Sequence, residues 1–378
     1  MNVMLAVTNI TAGNGGVTTH ILDLCKQLNQ RNVKVCLVSD KNDCDTNYLD
    51  AITELEKSEL FKFISVNLSG VQRDARRLFE TVKQFSKIVN DERIDIMHMH
   101  SQSLCVVGAF VKLKTGIPYI WTNHIDEMAN PKLFKKILKI LHFPIISVSL
   151  DLKNMLINEY GVKENRITVV NNGINLDKFS PLTEEEINNL KKEYECENKY
   201  VIGLLARMSY GKGHMYLLEA VNKMQNENNI KDIKVLIAGK LHKREYLDKL
   251  LTYSAEHNID VKYLGFRKPR DVFGICDIST LPSIYEGFGL TVIESLAMSC
   301  PVIRSDTPGW ADTKDIALIF KKGDVDGLAK HLIYAYNNRA AMQEMGKKGQ
   351  KAVFDKFTIE KQVESTMEVY NKIKIKRK

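Results

Sequence analysis

A chain of 378 residues with 44% hydrophobic side chains is long enough for two ordinary domains with full cores. Its 21 glycines and 8 prolines are too few for a fibrous or low-complexity protein. The formal charge of +8 favours anionic partners such as nucleotides, phosphates or acidic lipid. The basic residues are scattered, without a finger, RNP-like or recognition-helix pattern, which argues against nucleic acid. Seven cysteines, an odd number with no CxxC pair, point to free thiols in a reducing cytoplasm. Residues 1–7 resemble a first strand and lack the basic head and long apolar core of a signal peptide. No apolar run approaches the ~18 residues that a membrane span needs, so the expectation is a soluble protein that can still touch a membrane.

From residue 2 to residue 122 strand-like and helix-like segments alternate. Residues 3–8 form a strand ahead of a glycine turn. Residues 17–30 then place Ile21, Leu22, Leu24, Cys25 and Leu28 at helical spacing. Strands follow at 33–39, 61–68 and 94–100, the last preceded by a helix over 73–89, with two more at 118–122 and 145–149. The pattern breaks around Asn171, Asn172, Gly173, Ile174 and Asn175, a polar stretch through Ser180 to Glu186 follows, and the interdomain link is read here. A second alternation has strands at 200–205, 233–238, 261–264, 278–281, 302–304 and 317–320. A helical stretch over 359–374 ends the pattern. Such alternation implies parallel sheets covered by helices, with ligands at the carboxyl ends of the strands. Two Rossmann-like units facing a cleft are the simplest α/β architecture. There is no repeat at solenoid period.

The most informative stretch follows the strand at 278–281. Pro282 and Ser283 close it. Glu286, Gly287, Phe288, Gly289 and Leu290 form an acidic glycine turn, and a helix carries Glu294 about two turns on. Backbone N–H groups at such a helix start suit anionic or hydroxyl-rich ligands. One glutamate suits a sugar hydroxyl and the other a ribose diol, although either alone is equally an ordinary solvated acid. The second half opens with Arg207 at a strand end and Lys212 five residues later, in a loop bearing Gly211 and Gly213. A bidentate fork and a point charge there suit one phosphate pair, or simple surface solubility.

In the first half, Gly13, Gly15 and Gly16 with Asp40 resemble a dinucleotide fingerprint. Thr18 stands where the third glycine belongs, so the loop is equally a plain strand-to-helix turn. His100 and His124 follow strands and so lie on the ligand side, His124 the better placed, while His98 points opposite to its strand neighbours. The sequence shows no metal cluster. Asp43 and Asp45 have an Asp-x-Asp form in a polar connection, and Asp324 and Asp326 read as a helix start.

Taken in order, these motifs resemble family 4 of the retaining glycosyltransferases, two-domain enzymes of the GT-B fold. The resemblance runs over nearly the whole chain. It covers the Gly15–Gly16 loop, Asn172-Gly173-Ile174-Asn175 with Phe179, Arg207 with Lys212-Gly213, Leu264-Gly265-Phe266, the Pro282 to Gly289 turn, Glu294-Ser295-Leu296-Ala297 and Pro301-Val302-Ile303. It implies an N-terminal acceptor-side domain over 1–178, a nucleotide-sugar domain over 179–358, and a closing helix over 359–378 returning towards the N-terminal domain. The implied reaction moves a hexosyl or N-acetylhexosaminyl unit from a nucleotide diphosphate sugar, a UDP-sugar above all, to a cell-envelope glycan or lipid-linked acceptor with retention.

In this scheme Arg207 and Lys212 hold the diphosphate with Gly15 and Gly16. Glu286 and the N–H groups of Gly287, Phe288, Gly289 and Leu290 hold the sugar, Glu294 the ribose, and Gly265, Phe266 and Arg267 the base. His124 corresponds to a histidine near the sugar. No metal or other cofactor is expected. Where the family often has Gly and Glu after Thr307-Pro308-Gly309, this chain has Trp310-Ala311-Asp312, which bears on the local sugar contacts. A nucleotide-sugar epimerase or phosphorylase of the same fold, or a silent sugar-nucleotide binder, remains an alternative.

Finally, Pro131 starts a short helix in which Leu133, Phe134, Ile137, Leu138 and Leu141 form a stripe opposite Lys132, Lys135, Lys136 and Lys139. It is either a core helix with solvated lysines or a helix resting on an anionic leaflet, which would make a cytoplasmic enzyme peripheral on the inner face of the membrane.

Overall fold

The computed structural model describes every residue except Asn9, 11–14, Asp45, 72–73, Glu127, Ala129 and 376–378. Gly13 and Asn14 of the glycine loop and Asp45 of the Asp-x-Asp pair therefore lie outside the described residues. The chain forms two compact units, one of Met1–Asn172 with Ile359–Lys378 and one of Gly173–Thr358.

The first unit alternates β1 (Asn2–Ala6), α1 (Gly15–Gln30), β2 (Lys34–Ser39), α2 (Thr46–Leu55), β3 (Phe61–Ser65), α3 (Ala75–Asp91), β4 (Ile96–Met99), α4 (Leu104–Thr115), β5 (Tyr119–Asn123), α5 (Pro131–Ile140), β6 (Ile145–Ser147), α6 (Leu150–Asn158) and β7 (Ile167–Val169). These strands make one sheet in the order β3-β2-β1-β4-β5-β6-β7, each neighbouring pair parallel. A parallel sheet needs apolar cover on both faces. Val3 and Leu5 of β1 enter one core with Ile21, Leu24 and Leu28 of α1, whereas Met4 and Ala6 enter another with Phe85 of α3 and Val107 of α4.

The second unit runs α7 (Glu184–Glu193), β8 (Tyr200–Leu205), α8 (His214–Asn228), β9 (Ile233–Ala238), α9 (Arg244–Glu256), β10 (Val261–Tyr263), α10 (Pro269–Phe273), β11 (Ile278–Leu281), α11 (Leu290–Ala297), β12 (Val302–Ser305), α12 (Trp310–Thr313), β13 (Leu318–Phe320), α13 (Val325–Asn337) and α14 (Arg339–Lys356). Its six parallel strands lie in the order β10-β9-β8-β11-β12-β13. Asp324 opens α13 as its N-cap, accepting from the Gly327 N–H at 2.9 Å, so its place is that of a helix start.

The last helix, α15 (Ile359–Ile375), belongs to the first unit. Ile359, Val363, Thr366 and Tyr370 recur at helical spacing and are all buried, because this face packs against α1. The division between units falls between Asn172 and Gly173, within the break in the alternation and ahead of the boundary after residue 178 that the resemblance implies. The cause is a local pairing within the second unit. Ile174 bridges Thr358, and its N–H donates to the Phe357 carbonyl at 2.9 Å, so the segments beside both crossings are tied together.

Candidate functional site

In each sheet the strand order reverses beside the first strand of its unit: β1 sits between β2 and β4, and β8 between β9 and β11. Chains leaving the carboxyl ends of two strands at such a switch point part to opposite sides and leave a crevice. In the second unit the segments after β8 and β11 carry Arg207 with Lys212, and Glu286 with the glycine turn.

These two segments press on one another. Gly213 has φ +72, and a Cβ there would lie 1.9 Å from the Pro282 carbonyl oxygen, so only glycine allows the approach. The Ile284 N–H donates to the Gly211 carbonyl at 2.8 Å. The result is an ion pair that spacing along the chain does not reveal. Lys212 Nζ lies 2.5 Å from Glu286 Oε1, with the two side chains 23% and 11% exposed. Ser283 Oγ donates to the same carboxylate oxygen at 2.9 Å, and Ser305 Oγ fixes the Ser283 carbonyl at 2.7 Å. Serine 283 is thus a site residue whose role the sequence leaves unread.

Beyond Glu286, Gly287 and Phe288 are buried, and the Phe288 ring packs against Phe357 at 5.7 Å between centroids. The Phe288 ring is therefore not available to a ligand. Gly289, at φ +85, is the N-cap of α11 and no side chain caps that end. The Val292 N–H donates to the Gly289 carbonyl at 3.0 Å, and the helix start as a whole carries partial positive charge. Glu294 lies on the same helix and is half-buried. Along the rim of β8 to β10, Gly239 N–H donates to the Gly265 carbonyl at 2.8 Å. Phe266 there is 72% exposed, and Arg267 donates to its carbonyl at 3.0 Å. Arg207, two residues after the end of β8, is half-buried.

The first unit gathers its polar residues around imidazoles. His100 follows β4 and His124 follows β5, as the sequence places them. Nδ1 of His100 and Nε2 of His124 lie 3.0 Å apart. The His98 ring lies tilted beside that of His100, 4.1 Å between centroids, as residues two apart on a strand share a face. Its Nδ1 meets the Tyr370 hydroxyl at 2.7 Å and its Nε2 meets Thr122 Oγ1 at 2.5 Å. His20 of α1 completes the group, 4.9 Å from His124 between centroids, its Nδ1 3.1 Å from the Gln362 amide nitrogen of α15.

Ligand atoms of His20, His100 and His124 all lie within 4.8 Å of one another, a grouping of the kind that takes a transition metal. The absence of a metal-type cluster read from the sequence is corrected to that extent. The visible bonding is a packed group of neutral rings in which His100 and His124 are stacked and hydrogen-bonded and His20 meets both edge-on. Burial pushes the His20 pKa down to about 4 and holds those of His98, His100 and His124 well below the usual histidine range. His20 escapes the sequence reading because it is one of a helical stripe. Its spacing from Leu24 and Leu28 is the available signal, since it puts the ring on the buried face.

Two family models match in tandem: "Glycosyltransferase Family 4" over residues 14–178 and "Glycosyl transferases group 1" over residues 186–352. An uncharacterized glycosyltransferase of Methanocaldococcus jannaschii is 28% identical over 59% of this chain and 60% of its own length. The Escherichia coli UDP-Gal:alpha-D-GlcNAc-diphosphoundecaprenol alpha-1,3-galactosyltransferase is 24% identical over 75% of this chain and 77% of its own. The crystal structure of a glycosyltransferase from Rickettsia africae ESF-5 superposes with a TM-score of 0.85 at 22% identity, covering 98% of each chain. Nothing in these relatives favours an epimerase. The chain belongs to glycosyltransferase family 4: it is a glycosyltransferase whose two parallel-sheet units are those of the GT-B fold.

Proposed function

We propose that the protein transfers a hexosyl or N-acetylhexosaminyl unit, with retention of configuration, from a UDP-sugar to a hydroxyl of a lipid-linked or cell-envelope glycan. The observation that carries this reading is the meeting of Lys212, Glu286 and the uncapped start of α11 at the switch point of the second unit. The donor and the lipid-linked acceptor are suggested by the name of the E. coli relative.

In this proposal Arg207 and Lys212 bind the diphosphate. A bound diphosphate competes with Glu286 for the Lys212 ammonium and frees the carboxylate for a sugar hydroxyl. Glu294 takes the ribose diol. Phe266, exposed beside Gly265 and Arg267, offers a face to the base.

The bond that breaks joins the anomeric carbon to the diphosphate oxygen, and its electron pair stays on that oxygen. Fixed cations and aimed N–H groups lower the cost of that charge. The acceptor oxygen bonds to the same face of the anomeric carbon, and its proton passes to the departing phosphate oxygen. Protein cations do the work that a divalent ion does in Asp-x-Asp enzymes, so no metal is required.

No helix among the described residues is long and apolar enough to cross a membrane. We place the enzyme in the cytoplasm, with α5 touching the anionic inner leaflet through Lys132, Lys135, Lys136 and Lys139. The test is a panel of UDP-galactose, UDP-glucose, UDP-N-acetylglucosamine and GDP-mannose with a lipid-linked glycan acceptor, assayed for nucleoside diphosphate release in chelator. NMR of the product reads its anomeric configuration. Release of UDP with a retained product is expected. An inverted product, or activity lost in chelator and restored by magnesium, overturns the scheme.

A further inference from the structure

β12 is an inner strand of the six-stranded sheet, yet its third residue, Arg304, is an arginine with 0% exposure. Burying a guanidinium costs several kcal/mol unless its donors are met. All five N–H groups are met. Nε donates to the Ser305 carbonyl at 3.3 Å. Nη1 donates to the Phe288 carbonyl at 3.0 Å and to Thr313 Oγ1 at 3.2 Å. Nη2 donates to the carbonyls of Thr307 at 3.0 Å and Pro308 at 2.9 Å. One side chain thus ties together the glycine turn before α11 and the turn that opens α12.

The two turns also touch directly. Gly309 has φ +90, and a Cβ on it would lie 2.2 Å from the Phe288 carbonyl oxygen. In a planar trans peptide the carbonyl and the next N–H point in opposite directions. With the Phe288 carbonyl drawn to Arg304, the Gly289 N–H is turned away from the guanidinium. Were that peptide free to rotate, a carbonyl could replace the N–H beside a ligand, turning attraction into repulsion for an anion or a hydroxyl oxygen.

We propose that Arg304 is a positioning residue for sugar transfer. It touches no donor atom; it fixes the Phe288–Gly289 peptide and the Thr307–Gly309 turn so that the N–H groups leading into α11 stay aimed at the donor sugar and diphosphate. This rests on the glycine turn being the donor site.

Arg304→Lys keeps the charge but offers a point ammonium that cannot bridge both turns. Thr313→Val removes one acceptor with little change of shape. With the UDP-sugar that the wild type turns over, Arg304→Lys should lose roughly tenfold or more in kcat, and Thr313→Val roughly threefold, by misplacing groups that act at the transition state. Affinity for UDP alone should stay within about twofold, because the sugar-facing N–H groups and not the nucleotide contacts are disturbed. A lower melting temperature with kcat and UDP-sugar affinity unchanged in both variants makes Arg304 a core residue only and overturns the inference. Should Arg304→Lys not fold, Thr313→Val decides alone: a reduced kcat supports the inference and an unchanged one overturns it. Failure of the wild type to turn over any donor in the panel overturns the donor-site reading itself, and this inference with it.

Discussion

Lys212 and Glu286 illustrate what one residue can and cannot disclose in a sequence. Each is legible as a candidate, because a lysine in a glycine-bearing loop and a glutamate before a glycine turn are local patterns. Their contact is not, since 74 positions separate them and only the switch point between β8 and β11 unites them. The same holds for Ser283, which reads as a turn residue until its hydroxyl is seen on the carboxylate. Lys212→Ala removes an aimed cation from the proposed diphosphate site and leaves a partly buried carboxylate without its ammonium. Turnover should fall roughly a hundredfold or more, as for loss of one preorganised charge-stabilising group. Arg207→Ala should do the same. Glu286→Ala should lower kcat with the sugar donor, whereas Glu294→Ala should mainly raise KM for the nucleotide sugar. Steady-state kinetics, with circular dichroism to confirm folding, check the set. Near-normal kinetics in the Arg207→Ala, Lys212→Ala double variant would remove both from the site.

At the scale of elements, inner strands buried on both faces announce themselves as apolar runs, and twelve of the thirteen strands among the described residues are visible in the sequence. The missed one, β7, is a three-residue edge strand next to a polar turn, and its central Thr168 is exposed, so it lacks an apolar run. Helix α5 shows the limit of periodicity in another way. Its start is well specified: Pro131 follows the N-cap Asn130, whose side chain accepts from the Leu133 N–H. Its end is held by Arg166, which donates to the carbonyls of Leu138 and Leu141 at 2.9 and 2.8 Å. Of the apolar stripe, Phe134 and Leu138 are buried, Ile137 and Leu141 half-buried, and Leu133 is 52% exposed, as Ile140 is at 73%. Core packing thus uses part of the stripe and leaves two large apolar side chains outside among four exposed lysines. Near an anionic surface each lysine is worth about 1 kcal/mol. Vesicles of acidic lipid should bind the protein at low salt and release it at high salt, and neutral vesicles should not bind it. Replacing Lys132, Lys135, Lys136 and Lys139 by Gln should abolish co-sedimentation. Equal binding by that variant would leave α5 as a core helix alone.

For the molecule as a whole, the imidazole group links parts of the chain far apart in sequence: His20 on α1, His98 and His100 around β4, His124 after β5, and Gln362 and Tyr370 on α15. No local pattern foretells it, because tertiary packing alone brings these elements together. Its energetic consequence follows from protonation. In the unfolded chain each histidine titrates near ~6.5. In the fold, burial holds His20 at about 4 and the other three well below their ordinary value. Burial likewise takes His214 of the second unit to about 4. Between these limits the unfolded state binds protons that the folded state refuses, so stability is intact above the unfolded pKa and falls as pH drops from ~6.5 towards 4. The slope is about 1.4 kcal/mol per pH unit for each such histidine. The Glu92 carboxylate, paired with Lys62 and Lys34, has its pKa lowered below the ordinary range, so it adds its own loss only at lower pH. The melting temperature should therefore drop steeply between pH 6.5 and 5. Amide exchange in α15 should accelerate with it, since that helix is fastened through Tyr370 and Gln362. His98→Gln and His20→Gln should each flatten the dependence, whatever they do to stability at neutral pH. A melting temperature that stays level from pH 7 to pH 5 would mean that these rings accept protons in the fold and that the group is not held neutral.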